Sequence, residues 1–427
     1  MQKLAVIDKF SIEAHVSPIM LQLGPEWVTY YCDSKSLHSN LSQGNFVKKL
    51  LAANIEVVID NYKKALSHPA ILVDSEYFAI GDGTISWPKG DTTPLASAIH
   101  SSGMKIIRYD HSTDSLQFWP AVEGFWLYSS EMQFFENVGH GTYMLDEKDR
   151  PVWGMSAKGG EGVNTGLLHM GEWLTKRETD KATLKAELAE QMQVAFDPAL
   201  PLLVYYTSEY VLDREIDAGL MRLSEHANIV IKKYRSLSTY GQGKNIHIYP
   251  DDRHSGVFLP RFAADAVLAG YGSGTLTTSI MLGLRTIPVF TQHVDRLGLG
   301  GKDVPNIDFY RKRASSLKQR FTSFTNFLVK PHSLICRHIT PLNIMATEML
   351  LQRVHDAAYW EAYDANIQHV AQNIFGECRL DGHILAAEYI KNVVQYGTLL
   401  PKDIAVLNKC WEGKPEVVAD ASCQILL

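Results

Sequence analysis

Three alternating glycines, interleaved with hydroxyl residues, form the segment of the chain with the clearest chemical potential. Gly270, Gly272 and Gly274 follow an apolar run of strand length, and Ser273 and Thr275 add side-chain hydroxyls. Glycine lets a backbone approach phosphate closely, and free amides at a helix start bind anions. The segment therefore predicts an anion site, with a tight strand-to-helix turn that binds no ligand as the alternative. It lacks the lysine of a nucleotide-triphosphate P-loop.

Two histidines are candidates for general-base chemistry on a hydroxyl, because imidazole titrates near neutral pH. His15 follows the first predicted strand, at the edge where α/β sheets bind ligands. His140 lies between two glycines, where a tight backbone would expose its ring. The chain holds sixteen histidines, so a surface or core position is the alternative for each of them.

Cations cluster where the predicted strand Asn228–Lys232 ends. Lys232, Lys233 and Arg235 would suit a diphosphate lying across the sheet edge, and a solvated strand end is the alternative. Asp251 and Asp252 follow a proline, which favours a turn over a metal site because no third carboxylate is nearby. We therefore expect neither a bound metal nor an organic cofactor.

Composition limits the partners of this chain. Its formal net charge of −6 argues against general nucleic-acid binding, because no basic excess would neutralise phosphates. Five scattered cysteines favour reduced thiols over disulfides or zinc sites. We expect no signal peptide and no membrane span, hence a cytoplasmic protein. The basic run in residues 309–320 favours a solvated helix face, with peripheral contact to the inner face of a membrane as the alternative.

Strands that alternate with helices must position these residues. Apolar runs of strand length recur in both halves of the chain, separated by helical segments, which predicts an α/β protein with parallel sheets. Prolines in residues 196–201 mark a linker. We predict a Rossmann-like domain over residues 1–195, a second over 196–340 and packing helices over 341–427. Pro18 is predicted to begin a helix, and the glycine-rich segment 153–166 to be a long irregular loop.

The two α/β halves resemble the GT-B glycosyltransferases, and short motifs carry the resemblance. Residues 263–290 are similar to the donor-binding block of these enzymes, which has a Ser/Gly/Thr-rich loop between a strand and a helix. The segment around His15 resembles the Gly-His-x-x-Pro-x-Leu motif of many GT-B sugar transferases, in which the histidine is the base. GT-B enzymes typically need no bound metal.

Within this superfamily the chain is most similar to the CDP-glycerol glycerophosphotransferases and related capsule and cell-surface polysaccharide transferases. Tyr271 and Ser273 resemble part of that group's Asp-Tyr-Ser-Ser block, and His140 with its two glycines resembles its Trp-His-Gly motif. Residues 202–207 resemble its strand ending in Pro-Thr.

Three departures from these patterns leave the nucleotide base and the transferred group open. Thr278 stands where many GT-B enzymes place the carboxylate that grips the donor ribose. Tyr234 and Arg235 replace the His-Pro that follows the second strand of the glycerophosphotransferases. Gly270 replaces the aspartate before the Tyr-Ser-Ser sequence.

The resemblance implies two Rossmann-like domains facing across a cleft, with C-terminal packing helices and a nucleotide-diphosphate donor bound by the second domain. It implies metal-independent transfer of a sugar or polyol phosphate to a hydroxyl of a glycan or lipid-linked acceptor, with His15 or His140 as the base. The donor-binding residues would be Thr207, Lys232, Arg235, Tyr271, Gly272, Ser273, Gly274 and Thr275.

Two other functions stay open. A nucleotide-sugar 2-epimerase uses the same fold without an acceptor, but it needs acidic residues facing the sugar, and the sequence does not place them. A non-catalytic binding or scaffold subunit would keep the nucleotide site and lose the chemistry. A Rossmann oxidoreductase is disfavoured, because the glycine loop lies late in the chain and no acidic ribose partner follows at the usual distance.

Overall fold

The computed structural model of this protein describes residues 3–7, 13–32, 34, 41–74, 98–99, 101–109, 125–128, 161–206, 214–232, 243–250, 258–270, 274–290, 342–343, 346–375 and 379–399. The chain divides into two compact units. The first takes its described residues from Met1–Lys176 and Phe375–Lys414, and the second from Arg177–Asp251 and Gly256–Ile374.

The first unit is built on a parallel sheet. Its described strands are β1 (Leu4–Ile7), β2 (Val28–Cys32), β3 (Glu56–Ile59), β4 (Ala70–Asp74), β5 (Lys105–Tyr109), β6 (Phe125–Tyr128) and β7 (Glu161–Asn164). They pair in the order β3-β2-β1-β4-β5-β6-β7. Every residue of strands β1 and β2 is buried. This agrees with their near-continuous apolar sequences, which are typical of parallel strands covered on both faces. The order reverses between β1 and β4, which makes their carboxyl ends the switch point of this unit.

A second parallel sheet organises the other unit. Its described strands are β8 (Leu202–Tyr206), β9 (Asn228–Lys232), β10 (Ile246–Ile248), β11 (Ala266–Gly270), β12 (Thr286–Phe290) and β13 (Leu342–Asn343). They pair in the order β10-β9-β8-β11-β12-β13. The order reverses between β8 and β11, so the switch point of the second unit lies at the carboxyl ends of these two strands.

Helices connect the strands of both units. The described α-helices are α1 (Glu13–Leu23), α2 (Leu41–Ala52), α3 (Trp173–Lys176), α4 (Lys181–Met192), α5 (Arg214–Leu223), α6 (Leu259–Ala263), α7 (Gly274–Met281), α8 (Thr347–His355), α9 (Ala357–Phe375) and α10 (Gly382–Tyr396). A 3₁₀ helix spans Tyr62–Ser67. The predicted α/β class with a pair of Rossmann-like units and C-terminal packing helices is confirmed.

Helix α1 begins earlier than the sequence predicts. Pro18 was expected in the first turn, but it lies in the middle of the helix, so that prediction is wrong. A proline removes the bond to the carbonyl four residues earlier, which here belongs to Ala14 in the first turn. The neighbouring Val16, Ile19 and Met20 are buried, and their packing offsets this loss. His15 therefore lies in a helical turn.

The glycine-rich segment 153–166 is not a continuous irregular loop. Its last part forms strand β7, which pairs in parallel with β6, and Val163 is buried in the core of the first unit. Pairing with β6 satisfies the backbone polar groups of a segment whose own composition does not favour a strand. Residues 151–160 lie outside the described part of the chain.

The three C-terminal helices do not form one block. Helix α9 packs in the second unit, where the Tyr363 hydroxyl accepts a hydrogen bond from the Thr286 amide at 3.2 Å and donates one to the Leu284 carbonyl at 2.6 Å. Helix α10 packs against α1, and Ile390 and Val393 join the core of the first unit. The chain therefore returns to its first unit after completing the second.

Helix α4 lies in the second unit, whereas the predicted boundaries put it in the first domain, residues 1–195. Lys185 Nζ is 2.7 Å from Asp265 Oδ2, and the same carboxylate oxygen accepts a bond from the Leu202 amide at 2.8 Å. These contacts hold α4 in the second unit, which begins at Arg177. Whether residues 1–195, 196–340 and 341–427 fold as separate domains stays a prediction.

Candidate functional site

The predicted strand–loop–helix segment lies at the switch point of the second unit. Strand β11 ends at Gly270, helix α7 begins at Gly274 with Thr275 as its second residue, and β12 follows. Ala269 in β11 is the register partner of Tyr206, the last residue of β8. The start of α7 therefore follows the strand end at which open α/β sheets bind ligands.

Lys232 lies beside this switch point. It ends β9 and is the register partner of Tyr206 on β8. Its side chain is buried, and Nζ lies 5.4 Å from the centroid of the Tyr249 ring. The side chain is therefore not the solvated strand end that was the alternative, and its role in donor binding stays a prediction.

Arg261 is a buried cation beside the end of β8 that the sequence did not indicate. It belongs to α6 and is only 2% exposed. Its guanidinium carbon lies 5.1 Å from the centroid of the Tyr206 ring and 5.3 Å from that of Phe258. Burial raises the pKa of Tyr206, and the charge and hydrogen bond of Arg261 oppose that rise. The available signal was a lone cation inside the mostly apolar sequence FLPRFAADAVLAG.

The structure places His15 at the corresponding edge of the first unit. It lies in the first turn of α1, which follows β1, one of the two strands at the switch point of that sheet. The backbone position agrees with the predicted location, and the role of the imidazole as a base stays a prediction.

Several predicted site residues lie outside the described residues. These are His140, Thr207, Arg235, Tyr271, Gly272 and Ser273. Of the predicted donor set, the described residues bring Lys232, Gly274 and Thr275 to elements that meet at one sheet edge. Thr278, which stands in place of a ribose-binding carboxylate, is buried in α7.

The first unit also holds a buried histidine that the sequence did not indicate. His383 is the second residue of α10 and is 7% exposed. Burial lowers its pKa, and the nearby Asp381 carboxylate opposes that change. No sequence signal separated it from the other histidines. The start of α10 lies against the distant residues Thr165 and Leu167, and only the folded chain brings them together.

The described part of the chain holds neither a metal-ligand cluster nor a membrane-spanning helix. No three or more His, Cys, Asp or Glu side chains there are grouped as metal ligands. No described helix combines the length and apolar character needed to cross a membrane.

Comparison with known proteins identifies the fold. No family model and no curated protein matches the sequence. A variant of the wall teichoic acid polymerase TagF superposes with a TM-score of 0.53 at 13% identity, covering 92% of this chain and 88% of that chain. A TagF structure soaked with CDPG gives a TM-score of 0.52 at 10% identity over the same shares. The chain thus has a GT-B-like fold of two Rossmann-like units, similar to that of TagF.

Proposed function

We propose that this protein is a GT-B-type transferase that moves a sugar or polyol phosphate from a nucleotide-diphosphate donor to a hydroxyl of a glycan or lipid-linked acceptor. The observation that carries the proposal is the start of α7 at the switch point between β8 and β11, with the buried Lys232 on the adjoining strand. The similarity to TagF, which was soaked with CDPG, supports the choice of donor class.

On the donor side, the diphosphate would lie against residues 273–275 and the first turn of α7. Backbone amides there would donate hydrogen bonds to its oxygens, and Lys232 would add positive charge where the leaving nucleotide gains negative charge. These groups would stabilise the leaving group without a metal ion, which is the metal-independent chemistry that the sequence predicts.

On the acceptor side, His15 or His140 would take the proton from the attacking hydroxyl. In sugar transfer, the acceptor oxygen would bond to the anomeric carbon as the C–O bond breaks, and the electron pair would leave with the nucleoside diphosphate. In polyol-phosphate transfer, the oxygen would bond to the β-phosphorus as the bridging P–O bond breaks, and the electron pair would leave with the nucleoside monophosphate. A positioned general base typically contributes about 10²–10⁴-fold to the rate.

The test joins donor binding to turnover. A thermal-shift screen of the wild-type protein with UDP, CDP, GDP, CMP and ADP should show a higher melting temperature with one diphosphate, because a ligand that binds only the folded state stabilises it. With a sugar or polyol-phosphate donor built on the nucleotide that binds, His15→Ala or His140→Ala should lower turnover by about 10²–10⁴-fold while donor binding is kept. His226→Ala, at an exposed histidine of the second unit, is the matched control.

The outcomes separate the alternatives. Wild-type turnover in both His15→Ala and His140→Ala would refute the assigned base chemistry. Conversion of the donor sugar without any acceptor would identify an epimerase. Nucleotide binding with no turnover over a broad acceptor panel would identify a binding or scaffold subunit. The acceptor class, the cytoplasmic location and contact with a membrane face stay predictions.

A further inference from the structure

Arg261 is a buried cation that forms no ion pair with any carboxylate among the described residues. It is 2% exposed, and its Nε and Nη1 atoms have no hydrogen-bond acceptor there. A charged group that is removed from water needs a partner charge or hydrogen bonds to compensate. The two rings that flank it attract the cation, but they do not accept its in-plane N–H bonds.

The position of this guanidinium is set by the end of strand β8. Its carbon lies 5.1 Å from the centroid of the Tyr206 ring, and the Arg261 side chain also donates a hydrogen bond to the Tyr206 hydroxyl. Tyr206 is the register partner of both Lys232 on β9 and Ala269 on β11. Register partners in a parallel sheet direct their side chains to the same face. Arg261 and Lys232 are therefore two buried cations on one face of the sheet, next to its switch point.

We propose that Arg261 binds the diphosphate of the donor through the N–H groups that lack an acceptor. This assignment rests on the proposed function, in which the donor is a nucleotide diphosphate. A diphosphate has several oxygens that can accept bonds from different nitrogens of one guanidinium, and its negative charge balances that of Arg261. Arg261 is then a residue of the donor site contributed by the helix before β11, in addition to the loop after it.

The experiment measures affinity and stability in the same variants. Calorimetric titration of the full-length protein with CDP, UDP and inorganic pyrophosphate compares wild type with Arg261→Met and Arg261→Lys. We expect Arg261→Met to weaken binding of pyrophosphate and of the preferred nucleotide by about tenfold or more. The affinity of Arg261→Lys should lie between those of wild type and Arg261→Met. Without ligand, Arg261→Met should melt at the wild-type temperature or above, because an uncompensated buried charge is removed.

Arg353→Met is the matched control. The Arg353 guanidinium carbon lies 3.9 Å from the centroid of the Tyr359 ring in the same unit, so this variant also removes an arginine stacked on tyrosine. Its anion affinity should equal that of wild type. Equal losses of affinity in Arg353→Met and Arg261→Met would overturn the assignment.

Other outcomes are equally decisive. If wild type and Arg261→Met bind the diphosphates with equal affinity, Arg261 is a structural residue and the assignment is wrong, while the proposed function stands. If wild type binds neither nucleotide diphosphates nor pyrophosphate, both proposals fail. If Arg261→Met does not fold, Arg261→Lys decides. Weaker pyrophosphate binding by the folded lysine variant supports the assignment, and unchanged binding refutes it.

Discussion

Buried polar side chains lie at the ends of elements in both units. Lys232 ends β9, Arg261 stacks on the last residue of β8, and His383 is in the first turn of α10. Each lowers stability unless it is partnered, because desolvation of a charged or polar group costs free energy. In the second unit, Arg261 has two N–H groups without an acceptor among the described residues, and a bound anion would offset their desolvation.

His383 makes the stability of the first unit depend on pH. Burial lowers its pKa below the ordinary value of about 6.5, with Asp381 opposing the change. The unfolded chain therefore gains a proton near pH 6.5 that the folded chain takes up only at lower pH. The stabilising contribution is complete above this range and declines as the pH falls toward the folded pKa, by at most about 1.4 kcal/mol per pH unit.

The measurement is urea unfolding of wild type and His383→Gln between about pH 7 and pH 5. Wild type should lose more unfolding free energy over this range than the variant does. His247, whose pKa is also lowered by burial, is present in both proteins and cancels in the difference. Parallel pH dependences in the two proteins would contradict the assignment.

At the scale of elements, close backbone contacts attach α10 to the first unit. The Leu167 amide donates a hydrogen bond to the Arg379 carbonyl at 2.8 Å. Gly166 has φ of +83°, and a β-carbon there would collide with the same carbonyl. A β-carbon on Gly382 would lie 2.5 Å from the carbonyl oxygens of Thr165 and Leu167. The returning helix can therefore approach the end of β7 only where side chains are absent.

Gly166→Ala should destabilise the protein more than Gly103→Ala does. Gly103 also has a positive φ of +71°, but a β-carbon there meets nothing within 4 Å. Its alanine variant should lose about 1–2 kcal/mol from backbone conformation alone. Gly166→Ala should lose about 1–3 kcal/mol more, because the contact with Arg379 must open. Chemical denaturation measures both values, and equal losses would show that α10 accommodates the methyl group.

At the scale of the whole molecule, the core of the first unit joins distant parts of the chain. Val16 and Ile19 from α1 share one buried cluster with Ile390 and Val393 from α10. The second unit has its own buried side chains on its C-terminal helices, including Leu350 of α8. The two units therefore depend on different C-terminal helices for their packing.

Ile390→Ala should destabilise the first unit and Leu350→Ala the second. Both side chains are fully buried, and such truncations cost about 2–5 kcal/mol. Hydrogen–deuterium exchange resolves the two effects, with faster exchange in β1 for Ile390→Ala and in β8 for Leu350→Ala. If Ile390→Ala accelerated exchange in β8 and left β1 unchanged, the assignment of α10 to the first unit would be wrong.

Much of the secondary structure could be predicted from local patterns. The apolar runs that form β1, β8 and β11 are short and almost continuous, as parallel strands buried on both faces require. Gly270 also marked the end of a strand. These features depend on a residue and its near neighbours, so a single sequence contains them.

Other features were decided by tertiary packing. Pro18 lies inside α1 because its neighbours are buried, and β7 forms because β6 pairs with it. His383 and Arg261 are buried only in the folded chain. His383 needs elements that are distant in the sequence, and Arg261 lies against the Tyr206 ring of strand β8. Hydrophobic periodicity determines which face of an element is apolar. Which partner covers that face, and which polar group is enclosed with it, is determined only when the chain is folded, because those contacts join residues far apart in the sequence.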